Sequence, residues 1–248
     1  VKVLGIIPAR YQSSRLPGKP LADIGGKTMI QRVYEQAQQA LPNLVVATDD
    51  ERIESTVKGF GGEVIMTSPN HNSGTNRCLE AYQKWPGQAD VIVNVQGDEP
   101  LLDPSELHRL VALFEDADCA LGTLVKSIET QEELDNRSGC FVTINQNKEA
   151  LYFSRQLIPF LRDLPYDQWL GAHTFYKHIG LYAYRPQALE RFANLPQSAL
   201  EKAEALEQNR WLESGGRIKV GFSEVESLSV DTPADLKKVQ KIIAQIES

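Results

Sequence analysis

The sequence predicts an α/β fold, a doubly wound and mostly parallel Rossmann-like sheet, on three observations. Apolar, β-rich runs alternate with segments of helical period, the pattern of a parallel sheet covered on both faces. One strand, Asp90–Val95 (DVIVNV), is apolar almost throughout, as burial of both faces requires. The chain's 248 residues, 42% of them hydrophobic, allow one or two domains with a full core, and single α/β domains often reach this size. A TIM barrel is also typical of this length, but the alternation breaks after Val125 and disfavours it.

Val1–Ile7 reads as the first strand, stopped by Pro8. Met29, Ile30, Val33, Ala37 and Leu41 fall three or four apart and predict a helix over Met29–Leu41. Leu44–Thr48 is a short strand ending in Asp49-Asp50, and Ile53–Phe60 a helix closed by Gly61-Gly62. Val64–Thr67 is a strand, Arg77–Trp85 a helix broken by Pro86-Gly87, and Pro104–Glu115 a helix with Asp103 as its N-cap. Cys119–Val125 follows as a strand. Beyond it Cys140–Asn145, Ala150–Ser154 and Lys177–Tyr184 read as strands with hairpin or long connections, giving a mixed sheet. Gln187–Phe192 and Leu200–Ser214 read as helices, Ile218–Phe222 and Leu228–Val230 as strands, and Pro233–Glu247 as the closing helix. Arg162–His173 reads as a loop and the most flexible stretch of the chain.

The 26 Lys and Arg against 33 Asp and Glu leave a net charge of −7, which argues against a general nucleic-acid binder. A local basic pocket remains compatible with that balance. Cys78, Cys119 and Cys140 are far apart with no C-x-x-C, which fits a reducing cytoplasm better than a disulfide framework or a zinc ribbon. No apolar run reaches the ~18–20 residues of a membrane-spanning helix, so no membrane insertion is expected. Val1–Arg10 passes straight from apolar residues to Pro and Arg, too short for a signal-peptide core.

Five segments carry chemistry. Directly after the first strand, Pro8–Leu21 gathers Arg10, Arg15 and Lys19 with Ser13, Ser14 and Gly18. In an open α/β sheet such a loop lies where ligands bind, and its cations suit a triphosphate. Gly26-Lys27-Thr28 is not a Walker A loop, because Leu21 stands where that pattern needs Gly, and no G-x-G-x-x-G occurs. Asn94–Pro100 (NVQGDEP) places Asp98 at a strand's carboxyl end, where a carboxylate suits Mg²⁺ shared with phosphates. Val230-Asp231-Thr232-Pro233 repeats that placement, although Asp-Thr-Pro is equally a helix start. His71–Arg77 (HNSGTNR) surrounds a Gly with small polar residues that allow close backbone approach. In the strand HIGLYAYR, His178, Gly180, Tyr182 and Tyr184 share one face, and Leu206–Arg210 (LEQNR) completes the set.

Taken together and in this order, PARYQSSRLPGKPL, VATDD, HNSGT, NVQGDEP, ALYFSR, HIGLYAYR, LEQ and VDTPADL resemble the CMP-Kdo synthetases, the 3-deoxy-manno-octulosonate cytidylyltransferases, from Ile6 to Leu236. Sialic-acid cytidylyltransferases resemble the opening loop too, but usually continue with Lys-Asn where this chain has Lys19-Pro20-Leu21. The resemblance implies a sheet of the nucleotide-diphospho-sugar transferase type in a single domain spanning residues 1–248. It implies a small mixed-sheet dimerisation insert and sugar-site subregion around residues 140–190. It further implies the reaction CTP + Kdo → CMP-Kdo + pyrophosphate, with Mg²⁺ as cofactor, in a cytoplasmic homodimer serving lipopolysaccharide or capsule biosynthesis. Carried over by position, Arg10, Arg15 and Lys19 bind the triphosphate, and Ser73, Gly74 and Arg77 line the nucleotide site. Asp98 and Asp231 are the metal ligands and, with Arg10 and Lys19, the catalytic set. Gln96, His178, Tyr182, Glu207 and Gln208 take the sugar acid.

Three positions depart from the family pattern. Asn76 stands for an acidic residue, Phe141 for a lysine, and Asn209 interrupts the family's Leu-Glu-Gln-Leu-Arg. They leave open the same chemistry on 8-amino-Kdo or another sugar acid, or a nucleotide-binding relative without catalysis. No general base is evident.

Overall fold

A computed structural model describes residues 1–13, 15–136, 139–225 and 228–247, so Ser14 of the first loop lies outside the described residues. The chain runs β1 (Val3–Ala9), β2 (Asp23–Ile24), β3 (Lys27–Thr28), α1 (Met29–Gln38), β4 (Leu44–Thr48), α2 (Glu51–Gly59), β5 (Val64–Met66), α3 (Gly74–Lys84), β6 (Val91–Asn94), α4 (Pro104–Ala112) and β7 (Leu121–Ser127). It continues through α5 (Gln131–Asp135), β8 (Phe141–Ile144), β9 (Ala150–Ser154), α6 (Trp169–Ala172), β10 (Tyr176–Tyr184), α7 (Pro186–Asn194), α8 (Ala199–Glu204), α9 (Gln208–Glu213), β11 (Lys219–Ser223) and α10 (Pro233–Ile246).

The main sheet has the order β11-β7-β10-β6-β1-β4-β5, with β8 joined to β10 and β9 to β8. β1, β4, β5 and β6 run parallel, as do β7 and β11, and β10 lies antiparallel between β6 and β7. The strand order reverses at β1, which puts a ligand crevice outside its carboxyl end. Both faces of the central strands are apolar because both are covered. Val46, Val91 and Val93 meet α1 and α4 on one side, while Val45 and Ile92 meet α3 and α7 on the other. Gly5 is required in β1, since a Cβ there would lie 2.6 Å from Leu44 and 2.7 Å from Leu41.

The sheet forks at β10. That strand pairs with β6 over Tyr182–Tyr184 and with β8 over Tyr176–Lys177. Against β7 its register jumps between Ile179 and Tyr182 while β7 advances one residue, so His178 and Tyr182 stay on one face. Beyond the fork a separate core gathers Ile128, Leu134, Phe141, Leu157, Trp169 and Phe175.

Several boundaries differ from expectation. β1 runs through Pro8 to Ala9, because Pro8 sits beside β4 without breaking the register. α3 begins at Gly74, earlier than Arg77, because Ser73 caps it. Leu200–Ser214 is two helices, split where Ala205 turns left-handed at φ 52°. Leu228–Val230 is not a strand; Val230 is buried and its N–H donates to the Asp98 carbonyl. Arg162–His173 contains a 3-10 turn and α6, and Trp169 is buried there.

α10 docks on the β2–β3 hairpin through Ile24, Met29, Val230, Val239 and Ile243. Gly25 and Gly26, at φ 62° and 78°, give that hairpin its two-residue turn. The buried Arg32 locks the arrangement. Its Nε donates to the Ile24 carbonyl at 2.9 Å, Nη2 to the Gly25 carbonyl at 2.9 Å, and Nη1 to Glu247 Oε1 at 2.5 Å. Arg32→Met would strand two carbonyls at the seam. It should lower unfolding stability by about 2–3 kcal/mol, read as a shift of the urea midpoint at unchanged slope.

Candidate active site

The loop after β1 is shaped by one pinch. Gly18 is left-handed at φ 69°, and its N–H donates to the Tyr11 carbonyl at 2.9 Å. A Cβ at Gly18 would lie 3.1 Å from the Tyr11 ring. The Arg52 guanidinium, anchored on Asp50, stacks on that ring with its Cζ 3.3 Å from the ring centre. The pinch folds Arg10, Arg15 and Lys19 around a cleft of about 880 Å³.

Ser73, Gly74 and Arg77 line the same cleft, as do Gln96, Asp98 and Asp231. Ser73 Oγ accepts the Asn76 N–H, so the N-terminus of α3 faces the cleft with its partial positive charge. Arg77 is buried; its guanidinium donates to Thr67 Oγ1 at 2.5 Å and pairs with Asp49 at 3.3 Å. Asp49 follows β4 within VATDD, the sequence signal for its role, and the partnership with Arg77 arises only in the fold.

Asp98 and Asp231 meet on one cation. Lys19 Nζ lies 2.7 Å from Asp98 Oδ2 and 3.3 Å from Asp231 Oδ1, and Arg15 Nη2 lies 2.9 Å from that same Asp231 oxygen. The backbone enforces the meeting, since the Val230 N–H donates to the Asp98 carbonyl at 2.8 Å. Close approach also needs Gly97, where a Cβ would sit 3.1 Å from the Pro8 carbonyl oxygen. Neither carboxylate is consumed as a helix cap: Asp103 caps α4, and Thr232 with Asp235 caps α10. Among the described residues no group of three or more His, Cys, Asp or Glu side chains is placed to hold an ion unaided. Two carboxylates sharing one ammonium nevertheless fit a Mg²⁺ that takes its remaining ligands from phosphates and water.

His71, at the cleft wall, is held by Glu80. Burial pushes the Glu80 carboxyl up, but Lys84, the Ser68 N–H and His71 outweigh it and hold it at about 2. Glu80 is thus a fixed anion that orients His71.

Of the residues expected to take the sugar acid, only Gln96 lines the cleft. Its Nε2 donates to the Gly180 carbonyl at 2.9 Å, in the gap of the fork where β10 has neither β6 nor β8 beside it. Behind that gap Gln208 is buried, while His178, Tyr182 and Glu207 are half-buried. Burial lowers the His178 pKa to about 3, so its ring is neutral. Thr123 has one hydroxyl proton, and its 2.7 Å contact to the Leu181 carbonyl uses it. His178 Nε2, 2.9 Å from that hydroxyl, is therefore the N–H donor, which leaves Nδ1 as an acceptor. The buried Tyr182 hydroxyl has no hydrogen-bond partner among the described residues. Glu207 pairs with Arg210 and accepts from Thr75 Oγ1 at 2.8 Å, and Gln208 is buried with its amide near Cys140.

The three departures from pattern all have packing roles. Asn76 Nδ2 donates to the Ala193 carbonyl at 3.0 Å, tying α3 to α7 in a way no carboxylate could. Phe141 is buried in the core beyond the fork. Asn209 is fully buried and pairs both ways with the Phe153 backbone, at 3.3 and 2.9 Å.

His178 protonates near 6.5 when unfolded and near 3 when folded, so between those values the folded state binds fewer protons. Its stability contribution is complete above pH 6.5 and falls as pH drops through that window. NMR of the imidazole should show no titration from pH 8 to about 5, and His178→Gln should unfold with a shallower loss of stability on acidification over the same range.

The family model described as Cytidylyltransferase matches residues 4–219. A 3-deoxy-manno-octulosonate cytidylyltransferase from Parabacteroides distasonis is 54% identical, over 98% of this chain and 99% of its own. One of the same name from Bacteroides thetaiotaomicron is 55% identical over 98% of both. The solved structure of a CMP:2-keto-3-deoxy-manno-octonic acid synthetase complexed with CTP superposes with a TM-score of 0.91 at 42% identity, covering 99% of this chain and 100% of that one.

Proposed function

The chain belongs to the 3-deoxy-manno-octulosonate cytidylyltransferase family, and on that premise we propose that it joins the CMP unit of CTP to Kdo and releases pyrophosphate. The observation that carries this reading is the convergence of Arg10, Arg15 and Lys19 with Asp98 and Asp231 in one cleft. The anomeric oxygen of the sugar bonds to the α-phosphorus as the bond from that phosphorus to the bridging oxygen breaks, pyrophosphate leaves with that oxygen, and the hydroxyl proton passes to solvent. Such a transfer needs alignment and charge stabilisation more than covalent help.

Arg10, Arg15, Lys19 and the N-terminus of α3 neutralise the triphosphate and then the departing pyrophosphate. The fixed pair of Arg77 and Asp49 keeps the cleft wall in place for the nucleotide. Asp98 and Asp231 would hold Mg²⁺, which when bound would offset phosphate charge and lower the pKa of the attacking hydroxyl. The sugar acid lies toward the fork, bounded by Gln96. There the Gln96 amide faces the sugar hydroxyls, and His178 and Tyr182 support the fork behind it. Because His178 is neutral, the sugar carboxylate is met by the loop cations and not by an imidazolium. The packing roles of Asn76, Phe141 and Asn209 remove the ground for a different sugar acid, and the intact carboxylate pair argues against a non-catalytic relative.

The enzyme works in the cytoplasm and supplies activated sugar for lipopolysaccharide or capsule assembly. It pairs as a homodimer through the region around residues 140–190. Supporting this, Leu151 and Phe160 there are 58% and 77% exposed, unusual for large apolar side chains.

Incubation with CTP, Kdo and Mg²⁺ should release pyrophosphate in step with Kdo, and EDTA should stop it. Asp98→Asn should cut kcat at least about a hundredfold with folding intact. Absence of sugar-dependent release refutes the reaction, and full activity of the variant refutes the metal role. Sedimentation velocity should give twice the 27.7 kDa chain mass. Phe160→Asp should shift the species toward that of one chain, and a wild-type monomer at micromolar concentration refutes the pairing.

A further inference from the structure

We propose that Lys19 is a tethered stand-in for the metal ion, closing the Asp98–Asp231 pair to free divalent cations until a triphosphate draws its ammonium away. The inference rests on the reading that these carboxylates hold Mg²⁺. Without a cation the two aspartates would face each other as like charges held together by the Val230 to Asp98 backbone bond. Lys19 removes that repulsion by touching an oxygen of each, at 2.7 and 3.3 Å. Its side chain is 16% exposed, so the ammonium sits between the carboxylates and not at their rim. Mg²⁺ demands near-octahedral oxygen geometry and sheds water reluctantly. An ion can therefore ligate both carboxylates only if the ammonium leaves.

The loop is built for such an exchange. The Lys19 backbone is fixed, with Gly18 left-handed before it, Pro20 after it and its N–H on the Leu16 carbonyl at 3.1 Å. The flexible four-carbon stem above that anchor lets the ammonium change partners, whereas Arg15 touches one carboxylate only and closes the pair less completely. A triphosphate arriving along Arg10 and Arg15 offers the ammonium new oxygens in the same cleft. The carboxylates are then released to the ion as the nucleotide binds. Nucleotide and metal thus favour one another, and by linkage the coupling is reciprocal. The same lysine serves two anions in turn, so the empty cleft takes up little metal and the loaded cleft takes it up readily.

The test is an electron paramagnetic resonance titration of nucleotide-free protein with Mn²⁺. Wild type should show only weak binding, Lys19→Met at least about tenfold tighter binding, and Lys19→Met/Asp98→Asn a return to the weak level. Arg15→Met should gain much less than Lys19→Met, because Arg15 touches only Asp231. Lys19→Gln read in the same way guards against a folding defect in Lys19→Met. Tight binding by wild type, no gain in either Lys19 variant, or equal gains in the Arg15 and Lys19 variants would overturn the stand-in role while leaving the carboxylate metal site standing. Persistent tight binding by the double variant would instead overturn the metal site itself, and the stand-in with it.

Discussion

Two aspartates from distant parts of the chain share a single ammonium, and most of the architecture serves to keep them there. Asp98 follows β6 at the centre of the sheet, while Asp231 precedes the last helix. Carboxylates do not approach one another unaided, so backbone geometry must compel it. The Val230 N–H on the Asp98 carbonyl does this from one side, and Gly97 pressed against Pro8 does it from the other. The apolar seat of Val230, Val239 and Ile243 on the hairpin fixes the approach of α10, and Arg32 fixes the hairpin to its end. A structural ion pair far from the cleft is thereby part of the site's geometry.

The cleft lies between two kinds of wall. On the loop side Arg10 and Arg15 reach solvent, and the buried Arg77 is compensated by Asp49. On the far side of the fork the groups are polar, half-buried or buried, and Glu207 is the one paired with a cation. His178 is neutral by burial, and the Tyr182 hydroxyl is held in reserve. This division suits a triphosphate, which needs charge, set beside a sugar, which needs hydrogen bonds of fixed direction. Gln96 stands on the boundary, touching the cleft with one part and the fork with the other.

Much of this could be read before any coordinates. Apolar runs located the central strands, Leu44–Thr48 to the residue, because sheets covered on both faces leave a plain signal in sequence, and Ala150–Ser154 at the end of the fork was also placed to the residue. The loop cations and the two strand-end carboxylates were legible for the same reason, as charge beside apolar runs. What escaped depends on long-range packing. Ala205 breaks a helical pattern because Arg155 and Ser154 claim the end of α8 through Glu204, a contact invisible in local period. Val230 reads as strand because it is buried, yet it pairs with a loop carbonyl. The roles of Asp49 and Tyr11 are relations to Arg77 and Gly18 that only the fold creates.

The three departures from family pattern carry a more general argument. Each looks, in sequence, like the loss of a chemical group near the site: a carboxylate at Asn76, a cation at Phe141, a changed neighbour at Asn209. In space each side chain has turned to packing. Asn76 uses an amide hydrogen that a carboxylate lacks, and Asn209 uses both ends of its amide on one backbone residue. A site of this kind tolerates such exchanges because its charge is set by the loop and the strand ends. There Arg15, Lys19 and Arg77 each face a protein carboxylate, and a chain with net charge −7 still gathers cations in one cleft. Motif positions differ in weight for that reason: those that hold the carboxylates together constrain the chemistry, and those that hold helices together constrain only the frame.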